Sequence, residues 1–192
     1  MCNLYKLRTT RGEFAALFAA TDHWQAEPAR DYVAPGKEGP AVVARDGVRT
    51  LGLMTWGVPH AGKAVTNVRN LQSPFWRPLL DRPTHRCLVP VTEFEEWSAT
   101  PDPATRRKRA HWFAIPSRPI FAFAGVWRKI EGAPHFAILT TEPNSLVGAV
   151  HPKAMPVLLD EADYTRWLEA PWTDTQGLVS AYPSQLMSAR SE

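Results

Sequence analysis

Cysteine is scarce in this 192-residue chain, which has only Cys2 and Cys87. Two cysteines so far apart form neither a disulfide framework nor a metal-binding spacing, and they suit a reducing cytoplasm. Cys87, inside the apolar run RCLVPV, reads as a small core residue. No apolar run approaches the roughly 18 residues of a membrane span and no leader pattern opens the chain, so neither a membrane partner nor export is expected. There is no C-x-x-C, no H-E-x-x-H and no pair of histidines at ligand spacing, so no metal is expected. The glycine-rich phosphate loop and the dinucleotide fingerprint are missing, and with them any reason to expect a cofactor. No G-x-S-x-G elbow is present. No repeat, low-complexity tract or linker divides the sequence, so residues 1–192 read as a single domain. The net charge of +3 is a mild excess, which permits a nucleic-acid partner without requiring one.

What the chain has in quantity is large apolar side chains, including eight Trp and eight Phe. A chain of this size buries about 70% of its unfolded surface, so its core needs no staple. Thr10-Arg11-Gly12-Glu13 is a capping box and predicts a helix over about 11–20, with Phe14, Leu17 and Phe18 at helical spacing. Residues 25–40, rich in Pro, Gly and charge, read as an extended loop. Asp46-Gly47 between residues 41–43 and 48–55 predicts a β-hairpin. An irregular stretch is expected from Trp56-Gly57-Val58-Pro59 to Ser73. Ser73-Pro74 then reads as the cap and first residue of a short helix carrying Phe75, Trp76, Leu79 and Leu80.

Strands are predicted over 86–91, 94–97, 112–115, 120–127, 135–141 and 155–159, with Pro116-Ser117-Arg118-Pro119 as a turn. Residues 100–109 form a polar loop. Its run Arg106-Arg107-Lys108-Arg109 is either solvated or a phosphate contact. Asp160 is expected to cap a helix through Glu169, with Tyr164, Trp167 and Leu168 inward. Many short strands with a few short helices imply an α+β fold built on a mostly antiparallel, curved or barrel-like sheet.

Four residues carry the chemistry. Removal of Met1, favoured before a small side chain, would leave Cys2 with an α-amine and a thiol on adjacent carbons. Their ordinary pKa values, about 7.7–8.0 and about 8.5, leave a reactive fraction of each near neutral pH without help. Such an aminothiol closes on an aldehyde to give a thiazolidine. The plain alternative is that Cys2 is the second residue of a frayed terminus. Glu96 shares a strand face with Phe94, so its carboxylate is at least partly buried and is a candidate general acid/base. The alternative puts Glu95 and Glu96 in solvent at an edge. His151, flanked by Val150 and Pro152, suits proton transfer near pH 7 or is a satisfied structural histidine. Asn67 either orients a nucleophile or binds an oxygen, or simply caps a turn.

These stretches together resemble the SOS-response-associated peptidase (SRAP) family. The resemblance rests on Met1-Cys2, W-G-x-x-P at 56–59, N-x-R at 67–69, R-C-L-V-P with E-W over 86–97, F-A-G-V-W at 123–127, T-T-E-x-N at 140–144 and H-P-K-A-M-P-V-L-L at 151–159. It implies an SRAP-like fold and a protein that acts on abasic sites in single-stranded DNA. By this resemblance Cys2 is the crosslinking nucleophile, and Asn67, Glu96 and His151 complete the catalytic set. Arg69 and Arg77 contact phosphates, with Thr140, Thr141 and Lys153 also on the DNA side, and Trp56 belongs to a surface that stacks on or wedges apart bases. The chain departs from the family pattern in three places. Asn3-Leu4 stands where the family often has Gly-Arg, Lys153 is taken as the basic member of an extended H-x-R-M-P, and Thr92-Glu93-Phe94-Glu95 replaces D-G-F-Y and adds negative charge near the site.

The function implied is covalent capture of an abasic site as a thiazolidine, shielding the lesion during replication or SOS repair, with possible peptidase or AP-lyase activity. A cytoplasmic, nucleoid-associated monomer is expected. The competing classes are an N-terminal-nucleophile thiol peptidase or amidase and a single-strand binding module without chemistry.

Overall fold

The computed structural model describes residues 2–23 and 31–192. Strand β1 (Tyr5–Lys6) precedes helix α1 (Arg11–Leu17). Strands β2 (Thr21–Asp22) and β3 (Tyr32–Val33) lead to the long hairpin of β4 (Glu38–Arg45) and β5 (Val48–Trp56). A small hairpin of β6 (Val58–His60) and β7 (Lys63–Val65) follows, then β8 (Asn67–Val68). After α2 (Arg77–Leu80) come β9 (Arg86–Val91), β10 (Glu93–Trp97), β11 (Ala110–Ala114), β12 (Phe121–Ile130) and β13 (Ala133–Thr141). The last part carries α3 (Ser145–Gly148), β14 (Met155–Pro156), β15 (Leu158–Leu159), α4 (Tyr164–Glu169), α5 (Trp172–Thr175) and β16 (Ser188–Ser191).

Strands β5, β4, β9, β12 and β13 are bonded in that order, each antiparallel to the next. β13 then returns to β5 through a short parallel pairing of His135 with Thr55 and Phe136 with Trp56. Five strands thus close into a barrel, which leaves no exposed edge between them. β8 continues the parallel edge, with Asn67 opposite Ile138 and Val68 opposite Leu139. A second sheet, ordered β16-β11-β10-β1-β3, is antiparallel throughout. Aromatic contacts join the two layers. The Tyr5 ring lies 5.3 Å from Trp56 and 5.9 Å from Phe123, and Phe94 lies 5.8 Å from Phe123. The fold is α+β and mostly antiparallel, as the sequence pattern predicts.

Two glycines show how tight this core is. A Cβ on Gly125 would lie 2.7 Å from the Cys87 sulfur, so only a bare backbone fits where β12 crosses β9. Gly57 has φ +123° and would put a Cβ 3.0 Å from that of Ala64. Here the chain leaves the barrel for the small hairpin in a conformation open to glycine.

Local chemistry explains most of the short elements. The Thr10/Glu13 capping box is formed, and α1 ends at Leu17, three residues earlier than expected. Asp46 and Gly47 both have positive φ, 52° and 75°, as a two-residue type I′ hairpin demands. The same turn recurs at Ala61-Gly62, φ 48° and 75°, so the stretch expected to be irregular holds a hairpin and β8. Ser73 Oγ accepts from Phe75 N–H at 3.3 Å, but residues 74–76 form a turn and α2 starts only at Arg77. The turn at 116–119 does not join a hairpin, because β11 belongs to the open sheet and β12 to the barrel. The strand expected over 155–159 is broken at Val157, whose N–H bonds to Leu139 and whose carbonyl accepts from Ala124. Of the loop expected over 25–40, residues 24–30 lie outside the described residues, and β3 and the start of β4 take up part of the rest.

Candidate active site

The N-terminal segment is positioned by backbone pairing. Tyr5 is opposite Phe94 and Lys6 opposite Glu93. The ladder runs on past the strand, since Glu95 N–H donates to the Leu4 carbonyl at 3.0 Å. This register carries Cys2 toward the end of β10 that holds Glu96. From the barrel side, Asn67 Nδ2 donates to the Cys2 carbonyl at 3.4 Å and to Thr66 Oγ1 at 2.9 Å. Asn67 Oδ1 is buried with no hydrogen-bond partner among the described residues. His151 follows α3 and is held where Ala99 N–H bonds to the Val150 carbonyl at 2.9 Å. Its Nδ1 lies 3.8 Å from Glu96 Oε2. Four residues far apart in sequence thus converge at the seam between the two sheets.

Burial sets the electrostatics. Phe94 and Glu96 share one face, as the alternation predicts, and Glu96 is only 2% exposed. Its carboxyl is pushed up to about 7, chiefly by loss of water and further by the neighbouring charge of Glu95. Glu95 is buried too and also raised by desolvation, so neither glutamate is the solvent-facing edge residue of the alternative reading. The Cys2 thiol is fully buried, with S–H directed to the Leu4 carbonyl at 3.5 Å. Burial raises its pKa well above the ordinary value, and the Glu96 charge raises it further. This corrects the expectation of a thiol active near neutral pH without help. Burial lowers the His151 pKa, and Lys153 and Lys108 lower it further, against a hydrogen bond to the Trp97 backbone that raises it. The added negative charge expected from Glu93 is absorbed, because that carboxylate pairs with Lys6 at 3.6 Å and Arg190 at 2.8 Å.

The residues expected on the DNA side fall into two groups. Lys153 and Arg69 are exposed, and Thr141 is half-exposed. Arg69 is held by Glu142. Arg77 is also partly exposed, but its guanidinium is committed to Asp81 at 2.7 Å and Gln72 at 3.1 Å. Trp56 and Thr140 are buried. Trp56 has no exposed surface, stacks on Phe136 at 6.3 Å and donates its indole N–H to the Thr66 carbonyl at 3.0 Å. It is a core residue, so the expectation that it meets bases is corrected. Thr140 Oγ1 donates to the Val68 carbonyl at 3.2 Å and fastens β8 to β13. The exposed aromatic beside the site is Trp97, 45% exposed next to Glu96. Sequence reasoning passed over it, whereas Lys108, in the run read as either solvated or a phosphate contact, carries a charge that reaches His151. The signal for Trp97 was its place at a strand end directly after a buried carboxylate.

No group of three or more metal-ligating side chains occurs among the described residues. No helix among them is long and apolar enough to cross a membrane.

The chain matches the family model described as SOS response associated peptidase (SRAP) over residues 1–191. It belongs to the SRAP family. Among curated relatives, the Bacillus subtilis (strain 168) protein named abasic site processing protein YoqW is 31% identical over 176 residues, covering 82% of this chain and 75% of that protein. A protein of the same name from Bacillus phage SPbeta matches equally. Among solved structures, a Bacteroides thetaiotaomicron protein superposes with a TM-score of 0.83 at 20% identity, over 99% of this chain and 91% of its own. A Bordetella bronchiseptica protein gives 0.82 at 21%, over 100% and 99%.

The stretches that carry the SRAP resemblance divide between site and scaffold. Arg86 is fully buried, donates to Thr175 Oγ1 at 2.6 Å and to the Ala170 carbonyl, and lies 5.5 Å over the Trp167 ring. It pins α4 and α5 to β9. Asn144 caps α3 by accepting from Val147 N–H at 2.9 Å, while its amide donates to the Tyr182 carbonyl at 2.7 Å. Gly125 serves packing, and Gly57 serves both packing and the turn out of the barrel. Cys2, Asn67, Glu96 and His151 form the cluster at the seam.

Proposed function

We propose that this SRAP-family chain processes abasic sites in single-stranded DNA by joining itself to them through Cys2, shielding the lesion. The observation that carries this is the convergence of Cys2 and Asn67, joined through the Cys2 carbonyl, with a Glu96–His151 pair at 3.8 Å. The Bacillus subtilis relative, named for abasic site processing, points to the substrate.

Met1 removal frees the Cys2 α-amine. The amine attacks the aldehyde carbon of the ring-opened abasic sugar, and loss of water gives an imine. The sulfur then adds to the imine carbon while a proton reaches the nitrogen, closing a thiazolidine. The balance is one aldehyde and one aminothiol in, one water out. Glu96, with a pKa of about 7, holds a proton at neutral pH for a large fraction of the time. It delivers that proton to the sugar ring oxygen on opening, takes one back from the C1 hydroxyl as the aldehyde forms, and delivers it to the departing water. The raised thiol pKa makes the order amine first, sulfur second, and the thiol proton passes to the Glu96–His151 pair as the C–S bond forms. Each positioned acid or base contributes about 10²–10⁴-fold, and holding amine and aldehyde together contributes through effective molarity. Asn67 orients Cys2 through its carbonyl and offers Oδ1 to an amine N–H. The imine is also where an AP-lyase side reaction by β-elimination would branch off. Lys108, Lys153, Arg69 and Trp97 supply phosphate and stacking contacts. One chain furnishes the whole site, so a monomer suffices, and the expected place of work is the cytoplasm, at the nucleoid.

Incubation with an abasic single-stranded oligonucleotide followed by a denaturing gel tests the proposal. Wild type should give a stable shifted band, and mass spectrometry of that preparation should show Met1 missing. Cys2→Ala and Cys2→Ser should give none. An active preparation that fully retains Met1 would sink the aminothiol mechanism. A burst with an acyl substrate and no DNA adduct would favour the thiol peptidase, and binding on a native gel alone would favour a non-covalent module.

A further inference from the structure

Away from Cys2, Arg45, Arg82, Arg128 and Lys129 surround a groove of about 580 Å³ whose apolar walls include Phe75 and Trp127. They come from the end of β4, the turn before β9, and β12. No carboxylate lines the groove. None of the four cations is in an ion pair among the described residues. Asp81, next to Arg82 in sequence, is taken up by Arg77 at 2.7 Å. Four cations without carboxylate partners make a one-signed field at the groove, which raises the local concentration of a polyanion. The rings show what else the occupant brings. Phe75 packs against the His60 ring, at 4.1 Å, and the Arg128 guanidinium, at 5.7 Å, and stays half-exposed. A further hollow of about 250 Å³ shares Arg45 and Trp127 and lengthens the track. Cations beside the half-exposed rings of Phe75 and Trp127 match a chain of phosphates and unstacked bases.

We infer that this groove is a second nucleic-acid contact, taking the phosphodiester backbone and bases of the single strand as it leaves the Cys2 site. This rests on reading the Cys2 site as a DNA site. Strand β13 links the two, since His135 pairs with Arg128 and Ile138 with Asn67. Three residues along the strand and one strand spacing to either side put groove and site on the order of 15 Å apart. A single strand of the length that such proteins cover, roughly 4–16 nucleotides, reaches both. The segment carrying Arg69 and Phe75 runs between them.

The test uses the full chain with Arg45→Gln, Arg82→Gln and Lys129→Gln combined. All three side chains are exposed, and a far-UV circular dichroism spectrum matched to wild type confirms folding. Binding is measured on two fluorescent single strands without abasic sites, of about 6 and about 20 nucleotides, across a salt series. The triple variant should bind the longer strand about tenfold more weakly at low salt, with a salt slope shallower by about two units. Its affinity for the shorter strand should stay within about twofold of wild type. Unchanged affinity and slope on the longer strand overturn the inference and leave the groove to an acidic protein or another polyanion. An equal loss on both strands also overturns it, because the cations would then act as a general field. Neither strand can crosslink, so a failure of Cys2 chemistry is read separately, on the abasic oligonucleotide, and leaves this result standing.

Discussion

Arg86 and Glu96 lie ten residues apart on consecutive strands, and both are charged side chains taken almost wholly out of water. Burial pushes each toward its neutral form, and the outcomes differ. The Arg86 guanidinium falls to about 10 and so keeps its charge throughout the physiological range. It spends that charge on Thr175, the Ala170 carbonyl and the Trp167 face. The Glu96 carboxyl rises to about 7, where it gains and loses a proton under working conditions, and its neighbour is a histidine at 3.8 Å. A buried charge whose pKa stays far from the ambient pH is scaffold, and one brought close to it can be machinery.

That contrast can be broken first at Arg86. Arg86→Ala removes two hydrogen bonds and a stacked group from a filled site, and should cost about 2–4 kcal/mol of stability. Urea unfolding reads the loss, while the crosslinking rate per folded molecule should hold. A slowed reaction in fully folded protein would move Arg86 into the site.

Glu96→Gln should do the reverse. Crosslink formation should slow by more than tenfold with DNA affinity nearly intact, because an amide still hydrogen-bonds but cannot cycle a proton. Its stability effect has a definite sign. A carboxyl raised from 4.5 to about 7 contributes stability that is fully present below about pH 4.5 and is lost as pH rises through about 7. At pH 8 the variant should therefore be more stable than wild type, by on the order of 3 kcal/mol at most, and at pH 4 about equal. A difference between variant and wild type that ignores pH would show that Glu96 is not held in its neutral form.

His151→Ala should slow formation, and should slow release of a preformed crosslink into excess competitor DNA at least as much, since both directions share one transition state. Loss in one direction only would separate His151 from the proton relay.

The smallest effect is expected at Arg69. Its exposed partner Glu142 competes with phosphate, so Glu142→Gln should tighten single-strand binding about two- to threefold at low salt. Arg69→Ala in that background should flatten the salt slope by about 0.7 units. If both changes leave binding untouched, the strand does not pass over Arg69.

Much of this was legible in sequence because the signals are local. The Thr10 capping box, the Asp46-Gly47 turn and the face shared by Phe94 and Glu96 each follow from residues within a few positions of one another. What was not legible depends on partners far away. Trp56 looks like a candidate stacking surface until the return of β13 covers it, and Trp97 is only a strand end until it is seen to lie in the open beside Glu96. The turn at 116–119 has hairpin chemistry, yet it sends the chain from one sheet to another, a choice made by pairing to β9 rather than by the turn. The thiol of Cys2 has an ordinary pKa on paper, and the shift comes from a sheet that closes over it.

A ring of five cannot be coloured alternately with two colours, because one pair of neighbours must match. The five-stranded barrel meets the same parity rule, and the matching pair is β5 and β13. Antiparallel neighbours are readily made by turning the chain back on itself, but a parallel neighbour needs the chain to travel and return. Here that travel is everything between Trp56 and Ala133, and its first stage, the small hairpin, brings β8 back beside the same strand. The chain leaves the seam at Gly57, whose N–H still bonds to the Phe136 carbonyl at 2.8 Å, and rejoins it at Thr66, whose carbonyl accepts from Ile138 N–H at 3.0 Å. Asn67 is therefore set by the seam on β13 and not by the length of the excursion before it. Residues inserted at Ala61-Gly62 would lengthen the detour without moving the asparagine, leaving this hairpin free to change length while the residue at its far end stays fixed.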